Sequence, residues 1–326
     1  MGKVFLQLKT HLCFIERLTI VVCISYCAIA ISFRNYFSNW MTLVQIDLIL
    51  ITFIIIFAYP ANFQKLKSIK ITRLIYFVFI IYALYLQANL FITAFREHPI
   101  DETLIAIDKF MFRTNPTDAV EFLVTPWLTE YLQITYSLFY FIPITHLVEL
   151  IIWSDYRVAY KFTSAIVIGY YILFVLYFTF PAIGPRHTLH DISSVDKERP
   201  GIWLALPFRH AVDNSDSILT VDEPYKSRPN RDCMPSGHTI FTLIAIISAF
   251  YLQTKFRWFL LVWGSSAIFA TIYLRYHYVI DLIFGAFIGL IIAGFLLNAY
   301  REKFYFQEVY QRITALASIR FENSRK

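Results

Sequence analysis

The chain has 326 residues, of which 58% are hydrophobic and 18% aromatic, while only 16% are charged. Soluble domains carry about 25% charged residues, so this balance excludes an ordinary water-soluble globule and makes the lipid bilayer the natural solvent. The formal net charge of +6 would suit a nucleic-acid partner in a soluble protein, but in a chain this apolar it records basic loops held on the cytoplasmic side, and no nucleic-acid partner is expected.

Apolar runs approaching the roughly 20 residues that cross the hydrocarbon core recur along the chain. The first, Leu18 to Phe33, follows Lys3, Lys9 and Arg17 but lacks a small-residue cleavage pattern, so it reads as a retained helix rather than a signal peptide. Met41 to Tyr59 and Leu74 to Phe95 come next. The stretch 96–127 then mixes Leu104, Ile105, Phe110 and Phe122 with Asp101, Asp108, Arg113 and Asp118. That pattern predicts amphipathic helices lying in the membrane interface, one of them starting at Asn115-Pro116. Leu128 to Trp153 is the fourth run, with a kink expected at Pro143, and Phe162 to Phe180 is the fifth. After a long loop, 181–238, come Thr239 to Leu252, the shortest run, then Trp258 to Leu274 and Tyr278 to Ala299, followed by a basic tail. The expected fold is all-α, a polytopic transmembrane bundle of about eight spans.

Basic residues fix the orientation. Lys65, Lys67, Lys70 and Arg73 share one loop, Arg157 and Lys161 another, and Lys255 and Arg257 a third. With the amino terminus and the tail from Arg301 to Lys326 these fall on one side, which the positive-inside rule makes cytoplasmic. Both termini are then inside, and the 96–127 stretch, the 181–238 loop and the turn at Arg275 to His277 face the extracytoplasmic or lumenal side. Cys13, Cys23, Cys27 and Cys233 form neither a disulfide framework nor a zinc spacing.

Two segments on that outer side carry chemistry. In Cys233-Met234-Pro235-Ser236-Gly237-His238 a tight turn leads into a helix whose first N–H groups, around Ser236 and Gly237, would face an anion beside His238. In Arg275-Tyr276-His277-Tyr278-Val279-Ile280-Asp281 the i,i+4 spacing lets the carboxylate hold one imidazole nitrogen and leave the other free, which makes His277 a credible nucleophile. Arg275 beside it is a candidate phosphate contact, as are Lys226 and Arg228 in the loop that leads to His238 and also carries Arg231. His146 and Glu149 read as a packed polar pair, and His187, His190 and His210 as structural.

Cys-Met-Pro-Ser-Gly-His followed about forty residues later by His-x-x-x-Asp resembles the phosphatidic acid phosphatase type 2 superfamily, whose members include lipid phosphatases, lipid phosphotransferases and vanadium haloperoxidases. Close motif matching covers about Pro181 to Gly285. The resemblance implies that His277 attacks phosphorus, that Asp281 orients it and that His238 protonates the leaving oxygen. It also implies a six-helix catalytic core, here 74–300, behind two extra N-terminal helices in 1–73 and ahead of a cytoplasmic tail, 301–326. No metal or cofactor is called for.

The sequence departs from the family pattern in two places. Ala270 and Thr271 stand where the third block begins with Ser-Arg, and Arg275 is the candidate replacement. The Tyr-Leu-Arg-x-His-Tyr-x-x-Asp wording is similar to the inositol-phosphorylceramide-synthase and sphingomyelin-synthase branch. A first block, lysine six residues before Arg-Pro, is absent in that form: Lys226 is too close to Arg228-Pro229, and Arg186 in Gly184-Pro185-Arg186 sits where topology places that block. Its guanidinium offers phosphate a bidentate fork. The expected function is hydrolysis of a membrane lipid phosphate monoester through a phosphohistidine, with transfer to an alcohol acceptor as the first alternative and a non-enzymatic transporter as the second.

Overall fold

A computed structural model of the chain describes residues 12–58, 67–215 and 229–323. Among these residues the regular structure is helical, with one isolated parallel bridge between Ala182 and Asp232. Helices α1 (Phe14–Ser32) and α2 (Trp40–Ala58) pack on each other as a hairpin ahead of α3 (Lys67–Phe95). The stretch that follows holds α4 (Asp101–Phe112) and the short α5 (Pro116–Ala119), whose N-cap is Asn115, so the proline sits where its missing N–H has no intrahelical partner to lose.

The fourth apolar run does not fold as one helix. It divides into α6 (Pro126–Ser137) and α7 (Phe141–Trp153), bent by 57° at the Leu138–Tyr140 break. The bend therefore precedes Pro143, which lies in the first turn of α7, where a missing N–H costs no hydrogen bond. Next come α8 (Tyr156–Thr179), the one-turn α9 (Pro185–Thr188) and α10 (Val195–Glu198), α11 (Ala205–Ser215), α12 (Gly237–Tyr251), α13 (Arg257–Tyr273) and α14 (Val279–Asn323). Instead of stopping near Ala299, α14 continues to Asn323, 45 residues in all. No glycine or proline occurs after Gly294 to end it.

Helices α1, α2, α3, α8 and the Val279–Arg301 part of α14 are each long and apolar enough to cross a membrane, and α6 with α7 makes a sixth, bent span. The chain is an integral membrane protein. At 15 residues α12 is about 22 Å long, short of the roughly 30 Å core. Its first residue, Gly237, lies against Leu173 and Tyr177 of α8, and Leu173 is roughly 9 Å of helix short of the α8 end at Thr179. The start of α12 is thus sunk inside the bundle, and the helix as a whole packs on α14, α13, α8 and α7. Gly285 permits the close crossing with α14, since a Cβ there would meet the Ser236 carbonyl oxygen at 2.7 Å.

Polar side chains tie these apolar helices together at several points. His146 reaches Ser248 of α12 at 2.9 Å and Glu149 at 3.5 Å, while Glu149 accepts from the Phe256 N–H at 2.8 Å, so this pair fastens α7 to α12 and α13. On α1 the fully buried Glu16 accepts from Arg73 Nε at 2.7 Å, from Arg73 Nη2, from the Tyr76 hydroxyl and from the Cys13 N–H. Breaking a buried ion pair by removing one partner costs about 3–5 kcal/mol, because the remaining charge stays buried. Glu16→Ala is therefore expected to destabilise the docking of α1 on α3 by roughly 3 kcal/mol. Thermal unfolding in detergent measures this, and a midpoint equal to that of wild type would refute it.

Candidate active site

Two carboxylates of α4 build the frame of the site. Asp101, in its first turn, accepts from the N–H groups of Ile183 (2.9 Å) and Gly184 (2.8 Å) and from the Tyr278 hydroxyl (2.8 Å). Asp108, two turns later, accepts from Val279 N–H (2.8 Å) and Ile280 N–H (3.0 Å), the orphan donors at the start of α14. One helix thereby fixes both the segment that carries Arg186 and the turn that carries His277. Gly184 has φ +99°, and a Cβ there would lie 2.6 Å from the Tyr276 carbonyl oxygen, so only glycine lets these two segments touch.

His277 precedes α14 instead of sharing a helix face with Asp281. Its N–H, like that of Tyr276, returns to the Thr271 carbonyl at the end of α13. Asp281, at the third position of α14, accepts from the Tyr278 N–H at 2.9 Å and lies with the same oxygen 3.5 Å from His277 Nδ1. Helix capping, rather than the i,i+4 face, brings the pair together. The thiol of Cys233 donates to that oxygen at 2.8 Å and stands 3.5 Å from His277 Nδ1. Burial, reinforced by the Asp281 carboxylate, holds this thiol well above its ordinary pKa, so it remains a donor.

His238 is the second residue of α12, after the N-cap Ser236, whose hydroxyl accepts from Thr239 N–H at 3.3 Å. The N–H groups of Gly237 and His238 open the helix and have no intrahelical acceptor. The His238 ring lies against Tyr136 (centroids 4.5 Å, 17° between planes) and Phe139 (3.9 Å). Its centroid is 5.5 Å from that of His277, close enough for both rings to reach one tetrahedral phosphoryl group.

Arg186 reaches the same cavity from α9. Its guanidinium is buried, grips Asp213 through Nη1 and Nη2 at 2.8 and 2.7 Å, donates to the Tyr276 hydroxyl at 2.5 Å and lies 4.8 Å over the Tyr276 ring. Tyr276 stacks in turn on Tyr136 at 4.2 Å and 8°. Guanidinium, Tyr276, Tyr136 and His238 thus form one continuous stack across the site.

His238, His277, Arg186, Gly237 and Cys233 line a cavity of about 420 Å³, together with His187, Asp213, Asp232 and a wall of tyrosines. Burial, aided by the Arg186 charge, lowers the His187 pKa and favours its neutral form. Asp232 accepts from the Tyr85 hydroxyl and from Asn89 at 3.2 Å. Cys233 Sγ, His277 Nδ1 and an Asp281 oxygen lie within 4.8 Å of one another, a metal-competent trio in which the thiol proton is engaged by Asp281.

The structure brings His238, His277, Asp281, Arg186, Ser236 and Gly237 to one place. Arg275 is turned away. Its φ of +66° reverses the chain, and the guanidinium is held by Glu121 and Glu198 outside the cavity wall. Arg231 donates to the Thr93 and Glu97 carbonyls. Lys226 and Arg228 lie outside the described residues. His190 and His210 face Asp118 and Asp196, whereas His187, read from the sequence as structural, lines the cavity.

A family model described as the PAP2 superfamily matches residues 102–295. No curated protein and no solved structure matches the chain.

Proposed function

The chain belongs to the PAP2 superfamily, whose members are generally phosphoester hydrolases and phosphotransferases, and from that premise we propose that it hydrolyses a lipid phosphate monoester through a phosphohistidine at His277. The observation that carries this reading is the convergence of the His238 and His277 rings at 5.5 Å across one cavity, with Asp281 behind the second ring.

With Nδ1–H directed at Asp281, the Nε2 lone pair of His277 attacks phosphorus. The bond from phosphorus to the lipid oxygen breaks, and protonated His238 gives its proton to that departing oxygen. Water then attacks the phosphohistidine, His238 takes the water proton, and inorganic phosphate leaves with His277 restored. Charge growing on the phosphoryl oxygens is met by the N–H groups of Gly237 and His238 at the α12 start and by Arg186, once the incoming phosphate displaces Asp213. The placement of basic residues supports an active site on the extracytoplasmic or lumenal side with both termini cytoplasmic.

Transfer to an alcohol is the second reading, and Asp232 favours it. A carboxylate in a cavity that must hold a phosphate gains nothing from the anion, yet it can accept hydrogen bonds from the hydroxyls of an acceptor. Family membership weighs against the transporter alternative.

The test supplies purified protein with phosphatidic acid labelled in the phosphate, with and without an added polyol acceptor. Labelled inorganic phosphate is expected in both cases. Label found only in a new lipid or polyol phosphate would replace hydrolysis by transfer, and no release or transfer from any lipid phosphate would overturn the enzymatic reading.

A further inference from the structure

A second cavity, of about 490 Å³, opens beside the first. Its floor is α8, and its walls are α3 and α7, which both pack on α8 and little on each other. Tyr82, Tyr85, Tyr140 and Tyr170 belong to both cavities, so the second is a continuation of the first and not a separate site. No charged residue lines it, and its one polar residue away from this junction, Thr163, donates its hydroxyl to the Ala159 carbonyl at 3.0 Å. Along α3 the groove extends from Tyr85 to Leu74, roughly 16 Å at 1.5 Å per residue, about half the thickness of the hydrocarbon core. Exposed Phe79 and Phe141 stand at its rim, between α3 and α7.

We propose that this groove seats one hydrocarbon chain of the substrate lipid, with the phosphate in the tyrosine-lined cavity and the chain directed from Tyr85 toward Leu74. The inference rests on the lipid-phosphate reading of the active site and adds where the lipid is held. Its grounds are the continuity of the two cavities, the polar-to-apolar change at the shared tyrosines and the length. Burial of successive methylenes in such a groove raises affinity with chain length until the groove is full. Chain length is then read by the protein itself and not only by the surrounding bilayer.

The test compares hexadecyl phosphate with hexyl phosphate in detergent, following inorganic phosphate. Wild type is expected to prefer the longer chain in kcat/KM. Ile144→Trp on α7 and Ile166→Trp on α8, two independent ways to fill the groove, are each expected to cut that preference at least about tenfold. Val262→Trp, on an exposed face of α13, serves as the control and keeps the wild-type ratio. Unchanged ratios in both groove variants would overturn the proposal. Should wild type release phosphate from neither compound, the hydrolase reading fails instead, and the groove is judged by photocrosslinking with hexadecyl phosphate carrying a diazirine in its chain. Adducts on the facing sides of α3, α7 and α8 support the groove, and adducts confined to outward positions such as Val262 or Phe295, or none at all, reject it.

Discussion

His277→Ala is expected to leave a folded protein whose turnover of a lipid phosphate falls by at least about 10⁴-fold, the scale seen when a covalent nucleophile is removed and only binding and electrostatic groups remain. The side chain is buried but lines a cavity, so its loss enlarges an existing space rather than opening a new one in the core. The unfolding midpoint in detergent is therefore expected to stay near that of wild type. A second measurement makes the role specific: rapid quenching of wild type with labelled substrate should trap an acid-labile, base-stable phosphoprotein that is missing from the variant. Residual activity within tenfold of wild type, or the same adduct on His277→Ala, would show that the nucleophile is elsewhere.

The other large effect concerns His238. As the group that protonates the lipid oxygen, it is needed most when that oxygen is a poor leaving group, and general acid catalysis of this kind contributes about 10²–10⁴-fold. His238→Ala is expected to slow hydrolysis of phosphatidic acid by roughly 10³-fold but to slow release from p-nitrophenyl phosphate far less, because a nitrophenolate departs without a proton. Equal losses on the two substrates would assign His238 to binding alone. The comparison also separates its function from that of Arg186, whose loss weakens the hold on phosphate whatever the leaving group.

Much of this arrangement could be read from the chain. Apolar run length located the five long helices and the bent pair, while Thr239 to Leu252 and Trp258 to Leu274, read as spans, fold as shorter helices. The two histidine blocks stand at helix starts, where backbone N–H groups are free. The parts that escaped are those set by contacts distant in sequence. Asp101 and Asp108 look like the polar side of an interfacial helix, and nothing local reveals that one holds Gly184 and the other the start of α14. Cys233 reads as a lone thiol, although it is bound to a carboxylate 48 positions away. Arg275 misled for the opposite reason: closeness in sequence to His277 says nothing about direction once the backbone turns through a left-handed residue, and the acidic Glu121 and Glu198 that claim it were on distant segments. The bend in the fourth span was expected at Pro143 but falls earlier, at Leu138–Tyr140, because Pro143 lies in the first turn of α7, where its missing N–H costs no hydrogen bond.

The stack from Arg186 to His238 bears on how a proton can be handled there. Most imidazoles are kept in place by spending a nitrogen on a hydrogen bond. Among the described residues, His238 instead packs against the nearly parallel Tyr136 ring and the tilted Phe139 ring, and neither nitrogen is hydrogen-bonded to a protein partner. Such a ring is steadied by shape alone, so its two edges remain at liberty to discharge toward one molecule and recharge from another.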